Sequence, residues 1–185
     1  SILPPLAPDE ALEVTRIHAE QGGFLWATLQ RLGARPADLD DLYQEVILEH
    51  GKRPRNFGPL EGATHHAEGL NPLCGDHLTV HAKLGPDGKV AEIKFEGSGC
   101  AISKASASVM TGAVKGLGPA EVDALFERFH KLVTEGDPGA DADSLGKLAV
   151  FGGVHEFPTR VKCASLAWHT LRQAIHGLEG PVSTE

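Results

Sequence analysis

The sequence predicts an α+β chain, one antiparallel hairpin set among several helices. Two observations carry this. Leu78 to Leu84 and Val90 to Glu96 alternate apolar and polar residues and are split by Gly85-Pro86-Asp87-Gly88, the pattern of two strands joined by a turn. The segments after them space their apolar residues at helical intervals.

In chain order, Leu12, Ile17, Phe24, Leu25 and Leu29 suggest helix over residues 8–32, interrupted near Gly22-Gly23. Residues 33–38 read as a connector. Asp38 is a candidate N-cap for a second helix carrying Leu39, Leu42, Tyr43, Val46, Ile47 and His50, expected to end near Gly51. Residues 53–73 are rich in Gly, Pro and Asn and read as irregular, with a short edge strand near 67–70. Beyond the hairpin, 101–115 is dense in Ala and Ser and reads as a closely packed helix. A second helix runs from about Pro119 to Val133, 136–143 is a turn-rich connector, and a short helix lies near 145–150. Pro158 to His176 reads as a long helix, with Pro in its first turn and Gly177 at its end.

The 185 residues suit one domain able to bury a core without disulfides. No apolar run approaches the length of a membrane span. The start, Ser1-Ile2-Leu3-Pro4-Pro5, has no basic stretch followed by an apolar one, so no secretory signal is expected and the cytoplasm is the expected location. A formal charge of -8 argues against a general nucleic-acid binder, which needs a positive face. The one basic cluster, Lys52-Arg53-Pro54-Arg55, suits a solvated helix end as well as a docking patch.

The chain has three cysteines, Cys74, Cys100 and Cys163. An odd number cannot close into disulfides, and no CxxC pair is present, so neither a disulfide scaffold nor a zinc ribbon fits. A lone free cysteine is usually a small buried hydrophobe. Here glycine adjoins both Cys74 and Cys100, allowing close backbone approach. The hairpin places Cys74 before its first strand and Cys100 after its second, so both come to the same end of the sheet. Cys100 falls at the start of one helix and Cys163 within the first two turns of another, where the helix dipole favours thiolates. With Asp76 they make a four-donor set of three sulfurs and one oxygen, suited to tetrahedral Zn²⁺ or to part of an iron-sulfur cluster's ligands. Four anionic donors around one divalent ion leave a charge of -2, for which Arg160 and Lys162 are candidate compensation. They serve equally well as solvated charges at a helix start. Cys74 lies in a loop, where movement of a ligand costs least, and is the expected transferable thiol, able to attack an activated sulfur and carry a persulfide. His65, His66 and His77 lack any paired-ligand spacing, and His77 beside Asp76 is the foremost substitute ligand among them. No Walker A loop, GxGxxG fingerprint or GxSxG elbow is present.

Tyr43 to Asn56, Asn71-Pro72 leading to Cys74-Gly75-Asp76, Phe95-Glu96-Gly97 leading to Gly99-Cys100-Ala101-Ile102-Ser103, Ala105 to Ser108, and Lys162-Cys163-Ala164 together resemble the U-type iron-sulfur assembly proteins, the IscU/SufU family. The resemblance covers about Leu39 to Gly177. The IscU branch has histidine just before its third cysteine and a Pro-Pro-Val-Lys type motif upstream. Here Lys162 and Phe157-Pro158-Thr159-Arg160 stand in those places, and extra material lies near 136–153, which is similar to the SufU branch.

The resemblance implies an α+β fold with a small antiparallel β-sheet packed against helices. It divides the chain into a helical N-terminal extension, 1–38, and a SufU-like domain, 39–185. It further implies a zinc site of Cys74, Asp76, Cys100 and Cys163, and Cys74 as acceptor of persulfide sulfur from a SufS-type, pyridoxal-phosphate cysteine desulfurase. In that picture a desulfurase side chain takes the place of Cys74 on the zinc during docking, Arg160 assists docking, and a downstream SUF scaffold receives the sulfur. The expected activity is that of a zinc-dependent sulfurtransferase, with an iron-sulfur scaffold carrying a transient Fe-S cluster, or a structural zinc protein, as alternatives. No nucleic-acid or membrane partner is expected.

Overall fold

The computed structural model describes residues 46–136, 142–178 and 180–184. The predicted leader helix, the 33–38 connector and the Asp38 cap lie outside the described residues, as do 137–141 of the later connector. Residues 46–52 are helical (α1), ending as expected beside Gly51, and the Arg53 amide donates to the Glu49 carbonyl at 2.8 Å.

Three strands follow: β1 (His65–Asn71), β2 (Asp76–Leu84) and β3 (Val90–Ser98). The Asp-Gly turn forms as predicted, with the Gly85 amide donating to the Lys89 carbonyl and the Lys89 amide to the Asp87 carboxylate. Strand alternation sorts the residues sharply. Ala67, Gly69 and Asn71 of β1, Asp76, Leu78, Val80 and Ala82 of β2, and Ile93 and Phe95 of β3 are buried on one face. His66, Glu68, Leu70 and His77 on the other face are exposed.

The edge strand expected near 67–70 is instead a seven-residue interior strand. The sheet order is β3-β2-β1-β4, where β4 (Val182–Ser183) pairs parallel with β1 and β2 pairs antiparallel with both β1 and β3. Its buried face carries small and polar residues against a helix, so β1 lacked the β-branched signature of a strand. The two-residue β4 is too short to show any period. Residues 56–58 run along the free edge of β3, exchanging main-chain hydrogen bonds with Phe95, which protects that edge from pairing with another chain.

Beyond the sheet come α2 (Ala101–Ala113), α3 (Pro119–Glu135), a 3₁₀ segment (Ala142–Glu156) and α4 (Pro158–His176). The short helix expected at 145–150 is thus part of a longer 3₁₀ stretch, kinked at Gly146. The long C-terminal helix α4 lies across β1 and β2 and packs on α2, α3 and the 3₁₀ segment. The Ala/Ser composition of α2 permits its close approach to α4, where the Ser106 hydroxyl donates to the Ala164 carbonyl at 2.6 Å. On the far side of α4, Trp168 stacks on Phe129, which meets Phe151 edge-on. Fully burying a large side chain of this kind stabilises the fold by about 1.5–3 kcal/mol. Among the described residues, no helix is long and apolar enough to cross a membrane.

Candidate functional site

The inward rows of β1 and β2 end in polar residues. Asn71 and Asp76 are register partners at the end of the hairpin, and both point inward although neither is apolar, at 0% and 1% exposure. Between them Pro72-Leu73-Cys74-Gly75 forms the connecting loop. The Cys74 amide donates to the Asn71 carbonyl, and Gly75 takes the left-handed conformation (φ 68°) that turns the chain back into β2. Cys74 and Leu73 are exposed on this loop.

The second cysteine enters from the end of β3. Cys100 is the N-cap of α2, its sulfur accepting from the Ser103 amide at 3.4 Å. Its own amide donates to Asp76 Oδ1 at 2.7 Å. This contact needs Gly99 beside it, where a Cβ would lie 2.9 Å from that same carboxylate oxygen. The third, Cys163, sits in the second turn of α4, 1% exposed. Its thiol lies 3.2 Å from Cys74 Sγ.

Three of the four residues singled out from the sequence, Cys74, Asp76 and Cys163, therefore converge. The donor atoms of Cys74, Asp76 and Cys163 lie within 4.8 Å of one another. Cys100 stands at the edge of this group, tied to it by the hydrogen bond from its amide to Asp76 Oδ1. The neighbouring Cys163 thiol, helped by the Ser103 amide and opposed by burial, brings the Cys100 thiol down to about 7. Cys163 is pushed the other way: the neighbouring Cys100, burial, and its contacts with Cys74 and Asp76 all favour its protonated form. The Cys163 thiol meets the Cys74 sulfur at 3.2 Å beside the Asp76 carboxylate. A soft divalent cation would satisfy such a set better than protons do, and three sulfurs with one oxygen match a tetrahedral ion in number and softness.

The other sequence candidates fall elsewhere. His77 does not turn toward the cluster: strand alternation sends it to the opposite face from Asp76, where it faces Glu68 at 3.7 Å. His66 stacks on His81, and His65 bonds the Thr64 hydroxyl. Arg160, exposed at the start of α4, holds its guanidinium over the Phe157 ring, 4.1 Å from the centroid. Lys162 is half-buried next to Cys163. Asn71 had no role assigned from the sequence, yet its side-chain amide donates both to Asp76 Oδ2 and to Cys163 Sγ, each at 3.2 Å. Extending β1 to residue 71 would have found it, because Asn71 shares the parity of Ala67 and Gly69.

The family model described as NifU-like N terminal domain matches residues 42–164. The zinc-dependent sulfurtransferase SufU of Bacillus subtilis (strain 168) is 41% identical over 145 residues, spanning 78% of this chain and 96% of that one. The iron-sulfur cluster assembly scaffold protein IscU of Streptococcus pyogenes serotype M1 is 40% identical over 137 residues, 74% of this chain and 84% of its own. The structure of a nitrogen-fixing NifU-like protein (N-terminal) from Brucella abortus aligns with a TM-score of 0.66 at 27% identity, covering 75% of this chain and 94% of that one.

Proposed function

Because the chain belongs to the NifU-like N-terminal domain family, we propose that it is a zinc-dependent sulfurtransferase of the SufU kind, accepting persulfide sulfur for iron-sulfur cluster assembly. The observation that carries this reading is the contrast in exposure within one cluster. Cys74 is open to a partner on a four-residue loop, while Cys163 and Asp76 beside it are buried. The 41% identity to a protein named a zinc-dependent sulfurtransferase supports it.

Cys74, Asp76, Cys100 and Cys163 would hold the zinc. Bound there, zinc offsets the anionic charge of the donors and keeps the thiols ionised. The transfer itself belongs to Cys74. Its thiolate attacks the outer sulfur of the donor's cysteine persulfide, a new S–S bond forms on Cys74, the donor's S–S bond breaks, and the electron pair leaves with the donor's thiolate. No net oxidation occurs. The donor is a SufS-type, pyridoxal-phosphate cysteine desulfurase, the recipient a downstream SUF scaffold, and the setting the cytoplasm. Leu73 on the loop and Phe157 at the start of α4 are both exposed and offer apolar area to the docked donor. Arg160 above Phe157 supplies a fixed cation for the same surface.

A second reading, an iron-sulfur scaffold, is favoured by the relative named IscU at 40% identity. The test is anaerobic purification with metal analysis, followed by incubation with a SufS-type desulfurase and cysteine while mass spectrometry follows persulfide on each cysteine. One tightly held zinc, faster desulfurase turnover and persulfide on Cys74 are expected. A coloured cluster without desulfurase stimulation would replace this reading with the scaffold.

A further inference from the structure

We infer that Asn71 is a positioning residue of this site, holding Asp76 and Cys163 in place as fixed donors so that Cys74 alone is free to move. The inference rests on the sulfur-transfer reading for its purpose, but its geometry stands by itself.

The orientation of the amide follows from its surroundings. A carboxylate oxygen and a sulfur face one end of it, and both accept hydrogen bonds, so the NH₂ end must face them. Each of its two N–H groups has one acceptor: Asp76 Oδ2 and Cys163 Sγ, both at 3.2 Å. The opposite end is left without a partner, Asn71 Oδ1 being buried and unpaired. A fully buried amide that leaves its own oxygen unsatisfied is poorly explained as structural filler. The aim of its two donors explains it.

The same residue reaches Cys74 by a different route. Its main-chain carbonyl accepts from the Cys74 amide, closing the turn without touching the Cys74 sulfur. Asp76, gripped by Asn71 through Oδ2, is gripped by the Cys100 amide through Oδ1. Asn71 is therefore linked to all four donors, but its side chain bonds only the two most buried. An N–H donated to sulfur draws electron density from it and lowers its nucleophilicity, which favours Cys163 as a ligand that stays. Outer contacts of this kind orient metal ligands, and their loss typically costs about 10–100-fold in metal affinity.

The test compares the parent with Asn71→Ala and Asn71→Asp, the second keeping the shape but removing both N–H donors. Zinc affinity is read by competition with a chromogenic chelator, and the alkylation rates of Cys74 and Cys163 by mass spectrometry after chelation. Zinc affinity should fall about tenfold or more in both variants, and Cys163 should alkylate faster relative to Cys74. Circular dichroism confirms that each variant is folded, and Asn71→Ser is read in place of either that is not. Folded variants that keep zinc affinity within a factor of about two and the parent's alkylation ratio would overturn the inference. A parent that binds no zinc would sink the proposed function, while the alkylation ratio would still decide the role of Asn71.

Discussion

Cys74 and Cys163 carry the same functional group, 3.2 Å apart, in opposite surroundings. Cys163 is anchored in α4, closed off from water, and fixed by the Asn71 amide. Cys74 sits on a loop, exposed, held by a main-chain hydrogen bond to Asn71 and by the contact of its sulfur with the Cys163 thiol. The fold thus separates holding from giving within one cluster. A helix in the core supplies the donor that must not move, and a hairpin loop supplies the one that must meet a partner.

Substituting each cysteine breaks the pair in different ways. Cys74→Ser should reduce persulfide acceptance to background while, in chelator-treated protein, leaving the fold within about 0.5 kcal/mol of the parent, as expected of an exposed position. Cys163→Ala should instead destabilise the fold by about 1–3 kcal/mol, because it opens a small cavity and strands an Asn71 N–H. Urea unfolding and desulfurase-coupled mass spectrometry read the two effects side by side. Equal stability losses in the two variants would remove the distinction between them.

A milder change sharpens the exposed side alone. Leu73 is 63% exposed immediately before Cys74, an apolar side chain with little to gain from the fold. Leu73→Ser should raise the desulfurase concentration giving half-maximal stimulation by roughly tenfold, about 1.4 kcal/mol of docking energy, with the maximal rate unchanged. A change confined to the maximal rate would mean that Leu73 acts on the chemistry and not on docking.

The sequence made the holding half of the site easier to place than its surroundings. Cys100 and Cys163 lie on helices with strong signals, a glycine-rich entry before α2 and Pro158 opening α4, so their positions near helix starts followed directly. The β2-β3 hairpin was equally plain, because alternation and an Asp-Gly turn point to one answer. What lay hidden depended on pairing across long sequence distances. β1 shows small residues where α4 presses on it, and β4 is two residues long, so neither announces itself locally. The fate of His77 and Asn71 turned on strand parity. Once β1 and β2 are extended to Asn71 and Asp76, alternation alone sends Asn71 inward and His77 outward, though adjacency in sequence had suggested that His77 could stand beside Asp76 as a ligand.

The smallest effect lies along α2, away from its cysteine end. There the Ser108 hydroxyl accepts from the Arg55 amide at 2.8 Å and lies 2.8 Å from His50 Nδ1, on a histidine 4% exposed. With the Arg55 N–H on its oxygen, the hydroxyl can donate its own proton to Nδ1, an arrangement that requires neutral imidazole. Burial first, then the positive charge of Arg55, lowers the folded-state value of His50 below 6.5, with Lys147 adding to this and Glu49 opposing it. The sign follows from proton counting. Between the folded value and 6.5 the unfolded chain binds more protons, so stability rises with pH across that window. The contribution of His50 is fully present above 6.5 and is lost as pH falls through the folded value. Each unit of depression corresponds to about 1.4 kcal/mol. Chelator-treated parent and His50→Gln, melted between pH 5 and 8, should therefore differ in slope, the parent losing more of its Tm on acidification. His169 is lowered in the same sense by burial and by His130, and stays common to both proteins, so the difference in slope reports His50 alone. Parallel pH profiles would show that His50 keeps its ordinary titration in the fold, and would leave Ser108 to accept a proton from the imidazole instead of donating one to it.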